Sequence, residues 1–308
     1  MLQSPSLLSS VDTAALDAAL LLGEVLRKTR AELIVCENDP VSKADRDLFL
    51  GLVARRRNGE CVAYILGRRE FRGLEFAVNA HVLVPRPDTE TLVEAVLEYT
   101  FREYSSQSRS ETQREGGGLD SPYSVQGLCE KKLLDLCTGS GAVAIALKNE
   151  CSFLSVTASD ISPDALETAR LNAERLLGDR AAVRFIQSDL FEHIHGSFDI
   201  IVSNPPYIPS GELSALPPEV RGEPQIALDG GGDGLELIRN IAAQAGKRLL
   251  PGGALFLEAD PGQMQAIGTL LESHGFGSVR VYKDLAGRER VFSAKYLNAR
   301  SVMPQNKI

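Results

Sequence analysis

From residue 132 onward, short apolar runs alternate with longer segments of helical periodicity, and this alternation constrains the fold more than any other feature. In chain order the segments read LLDLC, AVAIALKN, SVTASD, PDALETARLNAERL, AVRFIQSD and FDIIVSN. Strands that alternate with helices in this way are typical of a parallel sheet with helices on both faces. We therefore expect an α/β fold with a doubly wound, mostly parallel sheet.

The first strand runs into a glycine-rich turn and a helix start, LLDLCTGSGAVAIAL (133–147). Gly139 and Gly141 would let the backbone approach a ligand closely, and the start of the helix presents free N–H groups. Asp160 ends the next strand about 20 positions later, where α/β nucleotide sites hold ribose hydroxyls. The turn lacks the third glycine of the dinucleotide fingerprint and the chain has no Gly-Lys-Ser/Thr loop. NAD and ATP are therefore disfavoured, and a nucleoside ligand without phosphates, such as S-adenosylmethionine, fits better.

Two further strands end in polar residues, the third in QSDL (187–190) and the fourth in NPPY (204–207). The consecutive prolines Pro205 and Pro206 remove two N–H donors and fix two φ angles, but leave every carbonyl free to accept. Open α/β sheets bind ligands at the carboxyl ends of their strands. We therefore expect one site at this edge, with a rigid, acceptor-rich segment in it.

Smaller units precede the α/β part. Residues 12–57 carry apolar side chains at three-to-four spacing and predict a small helical unit. The stretch YILGRREFRGLEFAV alternates around Gly73 and predicts a short hairpin. In LVPRPDTETLVEAVLEY, Pro87 is expected to open a helix that Asp88 or Thr91 caps.

Residues 105–118, SSQSRSETQREGGG, contain no apolar side chain and cannot offset the entropy of ordering them. We expect a flexible insert at about 105–130. The predicted domains are a helical unit with a hairpin linker (1–75), the α/β domain that carries the insert (76–296) and a tail (297–308).

The charge of the chain limits its partners. Over 308 residues the formal net charge is −8, whereas binding to a nucleic-acid backbone normally needs a clustered excess of Lys and Arg. The basic run at 55–57 is more typical of the solvated end of a helix than of a nucleic-acid patch. We expect no direct nucleic-acid partner.

The five cysteines show no CxxC spacing and no His partner at metal-ligand spacing. We expect reduced, packing cysteines and no metal site. The stretch MLQSPSLLSSVDTAALDAALLLGEVL lacks a cationic n-region and is interrupted by acidic residues, so it fits neither a signal peptide nor a membrane span. A cytoplasmic protein without membrane contact is predicted.

The motifs DLCTGSG, ASD, QSDLF and SNPPY together resemble the Rossmann-like methyltransferases with an NPPY motif. The flanking stretches narrow the resemblance. GECVAYILGRREFRGLEF, LVPRPDTETLVE, EPQIALDGGGDGLELIRNI, LLPGGALFLEADPGQ and DLAGRERV are similar to the peptide chain release factor glutamine methyltransferases, the HemK/PrmC family. The likeness covers roughly residues 15–295 without the insert.

This resemblance implies a seven-stranded, mostly parallel sheet with a small N-terminal helical domain, and S-adenosylmethionine as the cofactor. It places the methionine end of the cofactor on the glycine-rich turn, made of Cys137, Thr138, Gly139, Ser140 and Gly141. It places the ribose hydroxyls on Asp160, the adenine on Asp189 with Leu190, and the substrate glutamine on Asn204, Pro205, Pro206 and Tyr207; Asn204 would also border the cofactor. The chain departs from the family at Cys137, where glycine is usual, and at Ala259-Asp260 after Glu258, where an aliphatic residue and glycine are more common.

The chemistry of amide methylation fits the NPPY segment. A glutamine amide nitrogen is a poor nucleophile because its lone pair is delocalised into the carbonyl. The Asn204 side-chain oxygen and the Pro205 carbonyl can accept both amide N–H bonds, which aims the nitrogen and stabilises the positive charge that develops. Tyr207 would pack against the flat amide and exclude water. Asn204, Pro205 and Tyr207 are the predicted catalytic residues.

Other polar residues have simpler interpretations. Asp135 is expected to be a buried carboxylate that binds loop groups, and Asp233 to cap the helix after LDGGGDG. Roles at the site for Arg86 or Glu90 are not expected, because helix initiation explains their stretch. Three charged residues near the C-terminus are expected to pin a hairpin: Asp284, Arg288 and Arg290.

The resemblance implies methylation of the Gly-Gly-Gln glutamine of class 1 release factors, which would modulate translation termination. The N-terminal helices would help to dock the release factor on a monomeric enzyme. Two alternatives stay open: a ribosomal-protein glutamine methyltransferase and, on the same NPPY chemistry, a nucleic-acid adenine N6-methyltransferase.

Overall fold

Four helices build the first part of the chain in the computed structural model, which describes residues 5–112, 130–178 and 183–297. They are α1 (Pro5–Leu26), α2 (Arg30–Val35), α3 (Lys43–Arg57) and α4 (Val62–Leu66). Side-chain caps begin two of them: the Glu32 N–H donates to Thr29 before α2, and the Asp45 N–H donates to Ser42 before α3. The predicted helical unit is present.

A two-stranded hairpin follows, with β1 (Arg68–Phe71) antiparallel to β2 (Leu74–Ala77). Gly73 turns the chain with a φ of +73°, as its position in the pattern predicts. Phe71 and Phe76 are buried in the core of the α/β part. The hairpin therefore packs on the sheet domain and does not act as a free linker.

A seven-stranded sheet forms the centre of the α/β part. Its strands are β3 (Lys131–Leu136), β4 (Leu154–Asp160), β5 (Val183–Gln187), β6 (Phe198–Ser203), β7 (Leu249–Glu258), β8 (Phe276–Lys283) and β9 (Glu289–Tyr296). The spatial order is β5-β4-β3-β6-β7-β9-β8, and β9 alone in this sheet runs antiparallel to its neighbours. The predicted seven-stranded, mostly parallel sheet is confirmed.

Helices cover both faces of this sheet. They are α5 (Glu90–Thr112), α6 (Ala142–Glu150), α7 (Pro163–Leu177), α9 (Glu236–Ala245) and α10 (Met264–Ser273); the short helix α8 (Pro218–Arg221) has no buried residue and lies apart from both cores. Apolar residues of α5, α6 and α7 share one buried cluster, and those of α9 and α10 share the other. These two cores hold the strand ends rigidly at the edge where the site lies.

The start of α5 differs from the expectation. Residues Pro87–Thr89 form a 3₁₀ turn whose N-cap position is Arg86, with no side-chain cap bond, so the predicted caps by Asp88 or Thr91 are wrong. The Asp88 carboxylate instead forms ion pairs with Arg288 and Arg290. A guanidinium outcompetes a backbone N–H for a carboxylate because the bond is charge-assisted at both ends.

The predicted insert starts later than expected. Residues 105–112 continue α5, because a polar stretch without Pro or Gly can propagate a helix that the apolar residues before it have nucleated. The remainder of the insert and the tail from residue 298 lie outside the described residues. None of the helices in the described ranges combines the length and the apolar character that crossing a membrane requires.

Candidate active site

A cavity of about 720 Å³ opens at the carboxyl edge of β3, β4, β5 and β6. The predicted site residues on its wall are Cys137, Gly139, Asp160, Asp189, Leu190, Asn204 and Pro206. These residues follow four different strands in sequence, and the parallel sheet brings them together as expected.

The Asp160 carboxylate accepts backbone hydrogen bonds, one of them from the glycine-rich turn. Its Oδ2 accepts the Gly139 N–H at 2.9 Å and its Oδ1 accepts the Ser162 N–H at 3.0 Å. Burial raises the pKa of Asp160, while these backbone bonds oppose the rise. Each oxygen keeps a further lone pair for a ligand in the cavity.

Gly139 and Gly141 serve different purposes. A Cβ at Gly139 would meet no protein atom within 4 Å, and Gly139 lines the cavity. A Cβ at Gly141 would lie 2.8 Å from Ile145 Cδ1 and 3.2 Å from Ala169 Cβ. Gly141 therefore lets α6 pack closely on α7 and does not open space for a ligand.

Two more residues of the turn, Thr138 and Ser140, are buried and, like Gly141, are absent from the cavity wall. The Thr138 hydroxyl donates to Asp135 Oδ2 at 2.6 Å, and burial raises the pKa of Asp135 to about 7. Asp135 thus holds the turn from the core side, in agreement with its interpretation as a buried carboxylate. The predicted contacts of Thr138, Ser140 and Gly141 with the cofactor stay a prediction, since these three residues do not line the cavity.

The cavity wall includes two non-glycine residues in the left-handed backbone region. Cys137 has a φ of +59° and Leu190 a φ of +44°, a region that disfavours residues with a Cβ. Burial raises the pKa of the Cys137 thiol, so this cysteine is protonated and unreactive near neutral pH. Strained backbone at a ligand wall is common where the surrounding structure imposes it.

A second cavity of about 320 Å³ lies on the other side of the NPPY segment. Pro205 and Tyr207 line it together with Arg86 and Asp88, whose stretch was interpreted only as a helix start. The residues common to both cavities are Leu83, Asn204, Pro206 and Ala227. Asn204 therefore borders both cavities.

The orientation of the Asn204 amide follows from its partner. Its Nδ2 donates to Thr89 Oγ1 at 3.2 Å, and Thr89 is the buried residue of the 3₁₀ turn before α5. Because Nδ2 is engaged on the core side, Oδ1 is left to accept a hydrogen bond from a ligand. The amide is thus arranged as an acceptor.

The backbone of Tyr207 is held by Gln263 and packed closely by the loop with sequence LDGGGDG. Gln263 Nε2 donates to the Tyr207 carbonyl at 2.9 Å, and a Cβ at Gly230 would lie 2.8 Å from Tyr207 Cα. A Cβ at Gly234 would overlap the Tyr207 carbonyl oxygen. The expectation of a helix capped by Asp233 is wrong in detail, because Leu235 occupies the N-cap and steric contact with the NPPY segment explains these two glycines.

A strap formed by residues 217–228 crosses the site. The buried Glu223 carboxylate anchors it by accepting the Val84 N–H at 3.1 Å and by pairing with Arg86. From the other side Arg56 of α3 pairs with Glu219 at 2.5 Å. The strap is therefore tied both to the segment before α5 and to the N-terminal helices.

Glu258 lies at the end of β7, beside the NPPY segment, and both of its oxygens are buried without a hydrogen-bond partner. Burial raises its pKa to about 7, although the hydroxyls of Thr89 and Tyr207 and the charge of Arg290 oppose the rise. Burial likewise raises the pKa of Tyr207. A titratable carboxyl thus lies directly behind the predicted substrate residues.

The turn between β8 and β9 is held by charge, as expected. Asp284 accepts the N–H groups of Ala286 and Arg288, each at 2.9 Å, and Arg290 lies 3.5 Å from Asp284. The cluster also reaches the site, because Arg290 pairs with Asp88 at 3.0 Å.

Several residues on the wall of the larger cavity were not predicted. They are His81, Val82, Leu83, Ser162, Ile226, Glu236 and Asn240. No local pattern distinguishes them, and only their place in stretches similar to the family could have drawn attention to most of them. In the described part of the chain, no cluster of three or more His, Cys, Asp or Glu side chains could hold a metal ion.

Comparison with known proteins adds independent evidence. Residues 4–67 match the family model described as PrmC N-terminal domain, and residues 123–215 match the methyltransferase small domain. The solved hMettl16 catalytic domain, in complex with MAT2A 3'UTR hairpin 6, superposes with a TM-score of 0.53 at 14% identity, over 78% of this chain and 83% of that one. This likeness shows the Rossmann-like methyltransferase fold alone.

Two relatives illustrate the sequence similarity. The release factor glutamine methyltransferase of Bradyrhizobium diazoefficiens is 42% identical over 290 residues, 93% of this chain and 90% of that protein. The protein of the same name from Agrobacterium fabrum is 39% identical over 278 residues, 90% of this chain and 89% of that protein. With such identity over nearly the whole length, the chain belongs to the release factor glutamine methyltransferase family.

Proposed function

We propose that this protein transfers a methyl group from S-adenosylmethionine to the side-chain amide nitrogen of the Gly-Gly-Gln glutamine in class 1 release factors, and so modulates translation termination. The observation that carries the proposal is the position of Asn204. Its amide borders both cavities and is held through Nδ2, so that Oδ1 can accept from a substrate amide where the two ligands meet.

The larger cavity fits the proposed cofactor. Its volume of about 720 Å³ lies in the usual range for small-molecule sites. A carboxylate that accepts ribose hydroxyls is available at Asp160, and the half-exposed Ile161 beside it offers an apolar surface for a purine ring. Asp189 and Leu190 complete that wall. The donors, acceptors and apolar surface thus suit a nucleoside without phosphates.

The smaller cavity is proposed to receive the glutamine side chain. When bound, the cofactor supplies a methyl group on a positively charged sulfur. Asn204 Oδ1 and the Pro205 carbonyl would accept the two N–H bonds of the glutamine amide and hold its nitrogen in line for attack. They would also stabilise the positive charge that develops on that nitrogen. Tyr207 would cover the amide and exclude water.

The N-terminal helices are proposed to dock the release factor. Several of their apolar side chains are exposed: Leu16, Leu20, Ile34, Val35, Val41, Leu48 and Leu50. Exposed apolar side chains concentrated on one small unit indicate a protein-binding surface. The basic run nearby is largely neutralised, since Arg55 pairs with Glu60 and Arg56 with Asp17. We infer a protein partner for this unit, and a monomer that works in the cytoplasm, where release factors act.

The reaction is tested with methyl-labelled S-adenosylmethionine and two acceptors, a class 1 release factor and the same factor with its loop glutamine changed to alanine. We expect label on the first acceptor only. Label on a ribosomal-protein glutamine, or on DNA or RNA, with none on the release factor, would overturn the proposal in favour of one of the two alternatives.

Docking is tested separately with the double variant Ile34→Ser, Val35→Ser. The KM for the whole release factor should rise about tenfold, while turnover of a free Gly-Gly-Gln peptide should stay unchanged. Leu171→Ser, another exposed apolar site, on α7, is the control. Equal KM values in both variants would exclude α2 as part of the docking surface.

A further inference from the structure

Glu258 is the neighbour of Asn204 at the carboxyl edge of the sheet. Ser203 of β6 pairs in register with Leu257 of β7, so the next residue on each strand lies side by side. Glu258 is only 1% exposed, and among the described residues its two oxygens are the buried side-chain oxygens without a hydrogen-bond partner. A carboxylate is costly to bury in this way, which suggests that it has a use beyond packing.

Four polar groups face this carboxylate. Two are the hydroxyls of Thr89 and Tyr207, and two are the charged side chains of Arg290 and Asp88. The two charged side chains pair with each other, Arg290 with Asp88 at 3.0 Å. In the described part of the chain, no cation forms an ion pair with Glu258 within 4 Å. The Arg290 Nε–H is also buried without a hydrogen-bond partner, but because no Arg290 nitrogen pairs with Glu258 within that distance, the two hydroxyls are the nearer donors.

The proton of the Thr89 hydroxyl needs a hydrogen-bond acceptor. Its oxygen accepts the Asn204 Nδ2–H at 3.2 Å, so its own O–H must point to another acceptor. Within the described ranges, the unsatisfied acceptors beside it are the Glu258 oxygens. Hydrogen bonds at active sites are often loose until the substrate is bound, and this contact has yet to tighten in the structure.

We propose, on the basis of the proposed function, that Glu258 is a positioning residue for methyl transfer. Its carboxylate takes the Thr89 proton, which obliges Thr89 Oγ1 to accept from Asn204 Nδ2 and so turns Asn204 Oδ1 toward the substrate amide. Its second oxygen takes the Tyr207 hydroxyl. One buried carboxylate thus aligns both side chains that hold the glutamine.

The kinetic test compares Glu258→Gln with the wild type on the release factor. Glutamine has the same size but brings an N–H₂ group that competes with Asn204 for the Thr89 oxygen. We expect kcat to fall about 10- to 100-fold, with the KM for S-adenosylmethionine within about threefold, as for a misplaced catalytic group. An unchanged kcat would overturn the proposal.

Thr89 provides a matched pair of variants that leaves the buried carboxylate in place. Thr89→Val keeps the shape and removes the hydroxyl, and we expect a kcat defect similar to that of Glu258→Gln. Thr89→Ser should restore most of that loss. The double variant Thr89→Val, Glu258→Gln should be no slower than either single variant, because both break one chain of contacts. Fully additive losses would contradict the relay.

The pH profile separates positioning from a merely structural role. A protonated Glu258 would donate to Thr89 and displace the Asn204 Nδ2–H, so wild-type kcat should rise with pH through about 7, the pKa to which burial brings this carboxyl. Glu258→Gln should lose that inflection. Parallel profiles for the two proteins would overturn the proposal.

A readout without turnover keeps this inference separate from the proposed function. In protein labelled with ¹⁵N-asparagine, the Asn204 side-chain amide is assigned from its absence in Asn204→Ala. The NMR chemical shift of this amide should change with pH near 7 in the wild type. In Glu258→Gln and in Thr89→Val it should not depend on pH. If wild type transfers no methyl to release factors but shows this titration, the proposed function fails and the relay stands. If it transfers methyl without the titration, the relay fails alone.

Discussion

Two carboxylates, the partly buried Asp160 and the buried Glu258, end strands at the same edge of the sheet, and their oxygens are bonded in opposite ways. Asp160 at the end of β4 accepts one backbone N–H on each oxygen, whereas Glu258 at the end of β7 accepts none. The backbone bonds to Asp160 oppose the rise in its pKa that burial causes, and they fix both oxygens at the cavity wall. Glu258 keeps a pKa raised to about 7 and lies behind the residues that hold the other ligand. The comparison divides the edge into a cofactor side that is rigidly built and a substrate side that retains a titratable group.

Asn204 lies at the border of the two sides, and its removal should have the largest effect. Asn204→Ala deletes the oxygen that aims the substrate amide and stabilises its developing charge. We expect kcat to fall about 10²- to 10³-fold, as for loss of a preorganised group at the reacting centre. Single-turnover transfer of labelled methyl to the release factor measures this.

The same preparation should bind S-adenosylmethionine within about fivefold of wild type by calorimetry, because Asp160 and the rest of the larger cavity's wall are unchanged. If affinity falls as far as the rate, Asn204 belongs to the cofactor side and the division between the two sides is wrong.

Glu258→Gln should make the protein more stable at neutral pH. The folded-state pKa of about 7 lies above the unfolded value of about 4.3. Between these two pKa values the folded chain binds a proton that the unfolded chain does not. The contribution of Glu258 to the free energy of unfolding is therefore present in full below about pH 4 and is lost as pH rises to about 7. The loss is about 4 kcal/mol for such a shift.

Urea unfolding between pH 4.5 and 8 measures this difference. The free energy of unfolding of wild type should fall against that of Glu258→Gln as pH rises. Asp135 also has a pKa raised to about 7, but it is present in both proteins and cancels in the difference. Glu272→Gln, an exposed carboxyl on α10, should track wild type at every pH. A constant difference would mean that Glu258 finds a partner in solution.

Asp160→Asn tests the cofactor side. One oxygen becomes an N–H₂ group that faces a backbone N–H, and a charge-assisted bond of about 1.5–3 kcal/mol to a ribose hydroxyl is lost. We expect affinity for S-adenosylmethionine to fall about 10- to 100-fold, with kcat at saturating cofactor within about threefold.

Calorimetry gives the affinity, and Asp164→Asn, an exposed carboxyl four residues along the chain, should bind as wild type does. If Asp160→Asn lowers kcat but leaves the affinity for S-adenosylmethionine unchanged, Asp160 acts on the substrate and not on the cofactor.

The two sides also differ in how far sequence could predict them. The strand-turn-helix pattern, the spacing to Asp160 and the NPPY segment are local, and a parallel sheet necessarily gathers strand ends at one edge. Glu258 has no such signature: it ends an apolar strand, and its meaning depends on Thr89, more than 160 residues earlier in the chain. Contacts of this kind arise from packing between distant elements, which periodicity and motif spacing do not encode.

Within the glycine-rich turn the same limit applies. The family resemblance implies five cofactor ligands there, whereas in the structure the side chains of Thr138 and Ser140 are buried, and Gly141 is required by the contact between α6 and α7. A glycine that approaches a ligand and a glycine that approaches a helix look alike in sequence. Only Cys137 signalled its position, because it replaces the glycine usual in the family and occupies a backbone region that favours glycine.

Cys137→Gly should have the smallest effect, and it measures strain on the rigid side. A residue with a Cβ at a φ of +59° costs about 1–2 kcal/mol, which glycine recovers in part, since it loses more backbone entropy on folding and gives up the packing of the thiol. Cys137→Ala keeps the strain and loses the thiol. We therefore expect Cys137→Gly to unfold at a Tm a few degrees above that of Cys137→Ala, with S-adenosylmethionine affinity within about threefold in both. If Cys137→Ala is the more stable, the turn relaxes out of the left-handed region in solution, and the cofactor side is less rigid than the contacts of Asp160 imply.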